Sequence, residues 1–460
     1  MAHSQRIKTP SKETAPVPAD RLLAPFERFM RLEAAGGIVL IVMAVLAMIW
    51  ANSAWGSAYT DLFRAHKFTV GFGAWALSKP LILWINDLLM ALFFLLVGLE
   101  IKREILMGDL STPKKAALPV AAALGGMVVP GVVYAAINWG SPTIRGWGVP
   151  MATDIAFALG VLALVGSRVP SAVRTFLTSL AIADDLGALI IIAVFYTEQI
   201  GLNYLALGGA GLAGLVVLNL LGFRRPLGYM LLGVLVWYFV LKSGVHATIA
   251  GVLVALTIPT RLRADQRDYV NFMKRMIVKF DGQINPDDPR RCSGEQQTLV
   301  LAIETAGREV QSPLRRLEQQ LIAWVAFLIL PIFALANAGV PIELGQADET
   351  SGAGRAMLGA ALGLLIGKPL GVFGATWLAV KLRIGELPPG VRWRHIHGAA
   401  WLAGIGFTMA LFIASLAFTG QPSTLDAAKL GVLGASVLAG IIGLVVLMTG
   451  PKKQEESAAH

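Results

Sequence analysis

Two adjacent aspartates, Asp184 and Asp185, stand in the middle of an otherwise apolar run, Phe176-Leu-Thr-Ser-Leu-Ala-Ile-Ala-Asp-Asp-Leu-Gly-Ala-Leu-Ile-Ile-Ile-Ala-Val-Phe195. One carboxylate at the centre of a membrane span costs roughly 2.5–3.5 kcal/mol on insertion scales, so a pair implies a compensating use. Consecutive helical positions differ by about 100°, which lets both border one cavity while neither faces lipid. With charges about 5 Å apart at an effective dielectric of about 20, the two repel by roughly 3 kcal/mol. At least one therefore holds a proton near neutral pH and releases it when a cation arrives. Carboxylate oxygens suit hard cations such as Na+, and a site that accepts either a cation or protons exchanges them by competition alone. A structural pair satisfied by neighbouring polar groups is the alternative.

Three further features belong beside this pair. Asp154 follows Thr153 in Val-Pro-Met-Ala-Thr-Asp-Ile-Ala-Phe, nine residues after Arg145 and fourteen before Arg168. Pro150 upstream and a Thr-Asp pair at this depth point to an interrupted helix whose freed N–H groups the side chains satisfy; an aspartate reaching headgroups from a span end is the other reading. Lys368 is thirteen residues from both Arg355 and Lys381, about 20 Å of helix from either end. It needs a carboxylate or a broken helix's carbonyl end as partner, and Asp184 and Asp185 are the candidates. Gly404 and Gly406, in Ala403-Gly-Ile-Gly-Phe407, mark an unwound stretch, close packing, or neither.

The elements that must carry these residues are membrane helices. The 460-residue chain is 55% hydrophobic and 15% charged, with a mean hydropathy of +0.65, where soluble domains have about 25% charged residues. Apolar stretches of spanning length, about 20 residues, recur at 36–55, 80–100, 115–138, 147–166, 171–196, 201–221, 226–241, 243–259, 318–338, 355–378, 396–418 and 427–449. The expected fold class is an all-α polytopic membrane protein of about twelve transmembrane helices. Spans three to five and ten to twelve form matching triplets, each interrupted in its middle member, the pattern of inverted-topology repeats with a midplane site. The broken helices would be spans 4 and 11.

Lys and Arg fall in every second connection, so the positive-inside rule places both termini in the cytoplasm. The expected organisation is a cytoplasmic tail at 1–35, spans 1–8 over 36–259, a cytoplasmic insert at 260–317, spans 9–12 over 318–449 and a second tail at 450–460. The net charge of +10 is spread over many loops, which calls for no nucleic-acid partner. The N-terminus lacks the pattern of a cleaved secretory signal, and Cys292 is the single cysteine, which rules out an intrachain disulfide.

Glu100, Arg103 and Glu104 close the second span, while Arg315 and Glu318 open the ninth. Such a cluster is a cation funnel, a pH-responsive group, or an ordinary interfacial boundary. His246 is a modulator through its neutral-range titration or a capping residue. In the insert, Gln297–Val310 is too loosely patterned to tell a surface helix from a tether. The segment 59–79 is too polar to cross and reads as an external hairpin or surface helix.

The chain resembles the bacterial NhaA family of Na+/H+ antiporters through Ala152-Thr-Asp-Ile-Ala-Phe-Ala-Leu-Gly160, Leu180-Ala-Ile-Ala-Asp-Asp-Leu-Gly187, Leu241-Lys-Ser-Gly-Val-His-Ala-Thr248, Ile366-Gly-Lys-Pro-Leu-Gly371 and Gly404-Ile-Gly-Phe-Thr408, which run in family order. The resemblance implies crossed broken helices and electrogenic exchange of more than one proton per Na+ or Li+ across the inner membrane. It assigns ion binding to Asp184 and Asp185 with Thr153 nearby, and charge compensation to Asp154 and Lys368, with Lys368 also pairing to Asp184. It assigns pH regulation to Glu100, Arg103, Glu104, Arg315 and Glu318, and dimerisation of two copies to the 59–79 segment. Membrane lipid, Na+, Li+ and H+ would be the partners, with no cofactor. Two departures stand out: the 260–311 insert is longer than the family loop, and Gln319 and Ile322 replace histidines that follow the matching glutamate in better-known members.

Na+-coupled symport of an organic solute on a related scaffold is the second reading. An intramembrane enzyme is the third, and the chain carries neither a Gly-x-Gly-Asp element nor Asp-Asp-x-x-Asp spacing.

Overall fold

The computed structural model describes residues 35–71, 76–197, 200–260, 265–284, 292–342 and 352–449. The two tails at 1–34 and 450–460 lie outside the described residues, as does the middle of the insert at 285–291. Among the described residues, seven helices are long and apolar enough to cross a membrane, and nine spans result when each of two bent pairs counts once. The bent pairs are Pro142–Met151 with Ile155–Val165, at 41°, and Trp393–Ala403 with Phe407–Ala417, at 42°. Three shorter apolar helices, Ala35–Ala51, Pro226–Lys242 and Ala247–Thr257, accompany them.

Burial separates an outer from an inner layer. Leu202–Leu220 buries only Gly208 and Leu215, leaving leucines and valines outward, as a lipid-facing helix requires. Phe407–Ala417 is buried on every side from Phe407 to Ala414, and an all-round apolar helix is stable only inside a larger core. Pro142–Met151 is a tight 3-10 helix that buries Gly146 and Gly148–Met151. The broken elements therefore sit in the interior with whole helices around them.

Close packing of Pro113–Ile137 on Lys368–Lys381 holds Lys368 in place. A Cβ built on Gly371 would overlap the Gly125 carbonyl oxygen and lie 2.7 Å from its carbon, so only glycine permits this backbone approach. Gly371→Val is expected to destabilise the protein by about 1–3 kcal/mol through overpacking, read as a lower thermal midpoint in detergent. An unchanged midpoint would show that the two helices part freely. A π turn at Gly363–Gly367 ends directly before Lys368, and such turns concentrate at functional positions because they re-aim the next side chain.

The polar segments differ from their sequence readings in detail. Residues 56–65 are helical and then give way to a hairpin of Lys67–Val70 with Leu77–Pro80, in register Lys67↔Pro80 and Val70↔Leu77. Both alternatives expected for 59–79 are thus used in succession. The insert forms helices Gln266–Asp281 and Gly294–Glu309, and the second starts with a reciprocal capping box between Ser293 and Gln296. Helix Pro313–Asn337 begins ahead of the expected span at 318. Pro313 occupies its first turn and the Ser312 hydroxyl accepts from Arg315 N–H at 3.2 Å, which draws Arg315 and Glu318 into the helix itself.

Candidate functional site

The two breaks meet. Asp154 N–H donates to the Ile405 carbonyl at 2.7 Å, joining the non-helical residues of one bent pair to those of the other. Four half-helix ends consequently face one another in a buried space, and each requires a partner for its unsatisfied backbone groups.

The N-terminal ends are served by carboxylate and hydroxyls. Asp154 is 2% exposed. Its Oδ1 accepts from Phe157 N–H at 3.0 Å, capping Ile155–Val165. Its Oδ2 accepts from Thr408 N–H at 3.1 Å and from the Thr408 hydroxyl at 2.5 Å, capping Phe407–Ala417. A single negative group thus spans two positive helix ends. Phe407 N–H donates to Ser436 Oγ at 3.1 Å, which satisfies a further first-turn group.

The C-terminal ends are served by donors. The Lys368 ammonium donates to the Met151 carbonyl, the last residue of Pro142–Met151. Thr153 Oγ1 lies 2.9 Å from the carbonyl oxygen of Ala403, the last residue of Trp393–Ala403, and 2.7 Å from Asp184 Oδ2. A hydroxyl has one proton, so Thr153 divides it between a helix end and the aspartate. Lys368 also donates to Asp184 Oδ2 at 2.6 Å, with both side chains fully buried. Of the two candidates open to Lys368 from its depth alone, Asp184 is the one that the geometry selects.

Asp184 and Asp185 project from the middle of helix Ser171–Phe195 and are both buried. Oδ1 of each makes no hydrogen bond. Buried carboxylate oxygens in native proteins normally have partners, so two adjacent exceptions beside a hydroxyl and an ammonium form a site with unused ligand capacity.

Thr153, Asp154, Asp184, Asp185 and Lys368 therefore converge, together with Gly404 and Gly406. Neither glycine has a positive φ. Their role is close approach: a Cβ on Gly404 would lie 2.8 Å from the Leu364 carbonyl oxygen, and one on Gly406 would lie 2.7 Å from the Leu364 side chain.

The remaining candidates lie elsewhere. Arg103 contacts Glu104 at 2.7 Å and Glu318 at 3.0 Å, and Arg315 contacts Glu318 at 3.1 Å. Glu100 stands one turn before Glu104 on helix Leu81–Met107. This cluster fastens the end of that helix to the start of Pro313–Asn337. His246 Nε2 lies 2.6 Å from the Tyr196 carbonyl, about 18 Å along the helix from Asp184. Thr408, Ser436 and the Met151 carbonyl join the site without having been singled out by sequence reasoning. Thr408 carries a readable signal, a hydroxyl residue directly after a glycine-marked helix start. Ser436 is a serine within the apolar part of its helix, and a backbone carbonyl leaves no trace in sequence.

Residues 27–447 match the family model described as Na+/H+ antiporter 1. The chain is 50% identical over 434 residues to the Na(+)/H(+) antiporter NhaA of Oleidesulfovibrio alaskensis, covering 94% of this chain and 95% of that protein. It is 48% identical over 441 residues to the namesake of Koribacter versatilis, with 95% and 94% covered, and 48% over 424 residues to that of Rhodospirillum rubrum, with 91% and 96% covered. A match of this extent, over a chain whose two breaks cross beside a paired aspartate, makes it a member of the NhaA family of Na+/H+ antiporters.

Proposed function

We propose that this protein expels cytoplasmic Na+ or Li+ in exchange for external protons, electrogenically, from the bacterial inner membrane. The observation that carries the proposal is the adjacent buried pair Asp184 and Asp185, each with an Oδ1 that accepts no hydrogen bond. Those oxygens take a hard cation or protons but not both. Asp185 serves as the obligatory ion ligand, and Asp184 alternates between the ion and Lys368 while Thr153 supplies a hydroxyl. Displacing Lys368 adds a further charge change to each cycle, which supports the movement of more than one proton per Na+.

Twelve crossings account for the helices: nine spans counting each bent pair once, and the three shorter apolar helices. The sides follow from the Lys and Arg distribution, with both termini cytoplasmic. On this reading the Arg103, Glu104, Arg315 and Glu318 cluster, with Glu100, tunes the response to cytoplasmic pH, and the hairpin near 59–79 pairs two copies of the chain.

The test is Na+-dependent proton movement in proteoliposomes. Competition predicts that the apparent KM for Na+ rises with acid, about tenfold per pH unit when one proton is displaced and about a hundredfold when two are. A KM that stays constant from mildly acidic to alkaline pH would rule out the competition mechanism. A requirement for an organic co-solute would favour symport instead.

A further inference from the structure

Helix Phe407–Ala417 runs from the crossed breaks to a cavity of about 670 Å3, whose wall continues into the start of helix Pro422–Met448. Phe412 lies on the way and packs against Phe94 and Phe333, with ring centroids 5.9 and 6.3 Å away. This apolar layer separates the cavity from the aspartates.

Lys429 lines the cavity yet is only 2% exposed. Among the described residues it makes neither an ion pair nor a hydrogen bond. The aspartate one turn earlier on its own helix, Asp426, is held by Arg64 at 3.3 Å. The carboxylate that lines the wall, Asp87, is held by Lys79 at 2.8 Å. His246 is turned to the Tyr196 carbonyl. With Arg64, Lys79 and Lys429 set against Asp426 and Asp87, the charged groups around the cavity carry one excess positive charge, and Lys429 feels Asp426 only in competition with Arg64.

The same wall includes Gln421 and Pro422, the N-terminal end of a 27-residue helix. Gln421 provides no side-chain cap, so the partial positive charge of that end adds to the field. An isolated buried ammonium is costly unless something negative accompanies it. A cation crossing the cavity would meet the excess positive charge.

We propose that this cavity binds a small monovalent inorganic anion, chloride being the simplest, between Lys429 and the Arg64 side of the wall. The anion neutralises Lys429 and lets Na+ pass. This deepens the exchange reading, which it needs only for the effect on rate, since anion binding stands apart from transport.

The binding experiment uses the full chain in detergent at constant Na+, with chloride replacing lactobionate, a bulky sugar acid, in steps. The wild-type thermal midpoint rises with chloride, and the rise disappears in Lys429→Met. A flat wild-type response, or an equal rise in both proteins, overturns the proposal. Bromide-soaked wild-type crystals give an anomalous peak beside Lys429 Nζ, which keeps the idea testable should the variant not fold; absence of that peak at high occupancy elsewhere also overturns it. In proteoliposomes, chloride on the cavity side raises Na+-driven exchange about fourfold, the effect of one unit charge about 10 Å from the path at a dielectric of about 40. A chloride-dependent midpoint without any Na+-dependent proton movement would retain the anion site and sink the exchange reading.

Discussion

Asp185→Asn is expected to reduce Na+-dependent proton movement in proteoliposomes to background, a loss of at least about a hundredfold, without lowering the thermal midpoint. Both halves follow from the same geometry. Asp185 Oδ1 accepts no hydrogen bond and the side chain is 2% exposed. Asparagine is nearly isosteric, so no packing is lost, and exchanging a buried titratable carboxyl for a neutral amide removes a desolvation cost. What disappears is the member of the pair that makes no hydrogen bond to Lys368. A hundredfold loss needs about 2.7 kcal/mol of ion stabilisation, within reach of one charged ligand in a water-poor site. Full activity in Asp185→Asn would refute the assignment outright. A fall in activity accompanied by a collapse in stability would instead mark Asp185 as structural.

The contrast with Asp184 is informative, because adjacent residues of the same type make different contacts. Asp184 Oδ2 accepts from both Lys368 and Thr153, so its replacement disturbs the scaffold as well as the ion. A stability readout beside the transport readout separates the two aspartates, where transport alone would report both as essential.

Much of this arrangement is legible in the sequence, for a physical reason. In a bilayer a charged residue must have a cause, so Asp154, Asp184, Asp185 and Lys368 announce themselves by depth alone. The first break shows through Pro150 with Thr153, whereas Gly404 with Gly406 points to the second only once the two triplets of spans are matched. Partner identities do not show, since depth tells which groups need partners and not which are adjacent. Thus the depth of Lys368 is compatible with either aspartate, and the capture of two helix ends by the single carboxylate of Asp154 depends on the crossing of segments some 250 residues apart. Lys429 gives no such signal, because its burial comes from the neighbouring helices and the carboxylate one turn away, Asp426, is also engaged by Arg64. The insert is opaque for the opposite reason. In Gly294–Glu309 the apolar pattern is weak, and the Ser293–Gln296 capping box supplies the start signal that the pattern lacks.

The second large effect concerns Lys368, where removal of a single partner should be worse than removal of both. Lys368→Met leaves Asp184 buried with only the Thr153 proton, which the Ala403 carbonyl also draws on, and frees the Met151 carbonyl at the end of a half-helix. Asp184→Asn leaves the ammonium without its counter-charge. Breaking a buried pair from one side costs about 3–5 kcal/mol, whereas replacing both members is frequently close to neutral. The Lys368→Met/Asp184→Asn double variant should therefore be more stable than the sum of the single losses by about 2 kcal/mol or more, measured by equilibrium unfolding in mixed micelles. Recovery would remain incomplete, because methionine does not donate to Met151 and that helix end stays unsatisfied. Additive losses would mean that Lys368 acts mainly on the broken helix and that its contact with Asp184 contributes little. In that case exchange of Asp184 between Lys368 and Na+ would not be a step of the cycle, and the coupling of more than one proton to each ion would have to reside in Asp184 and Asp185 alone.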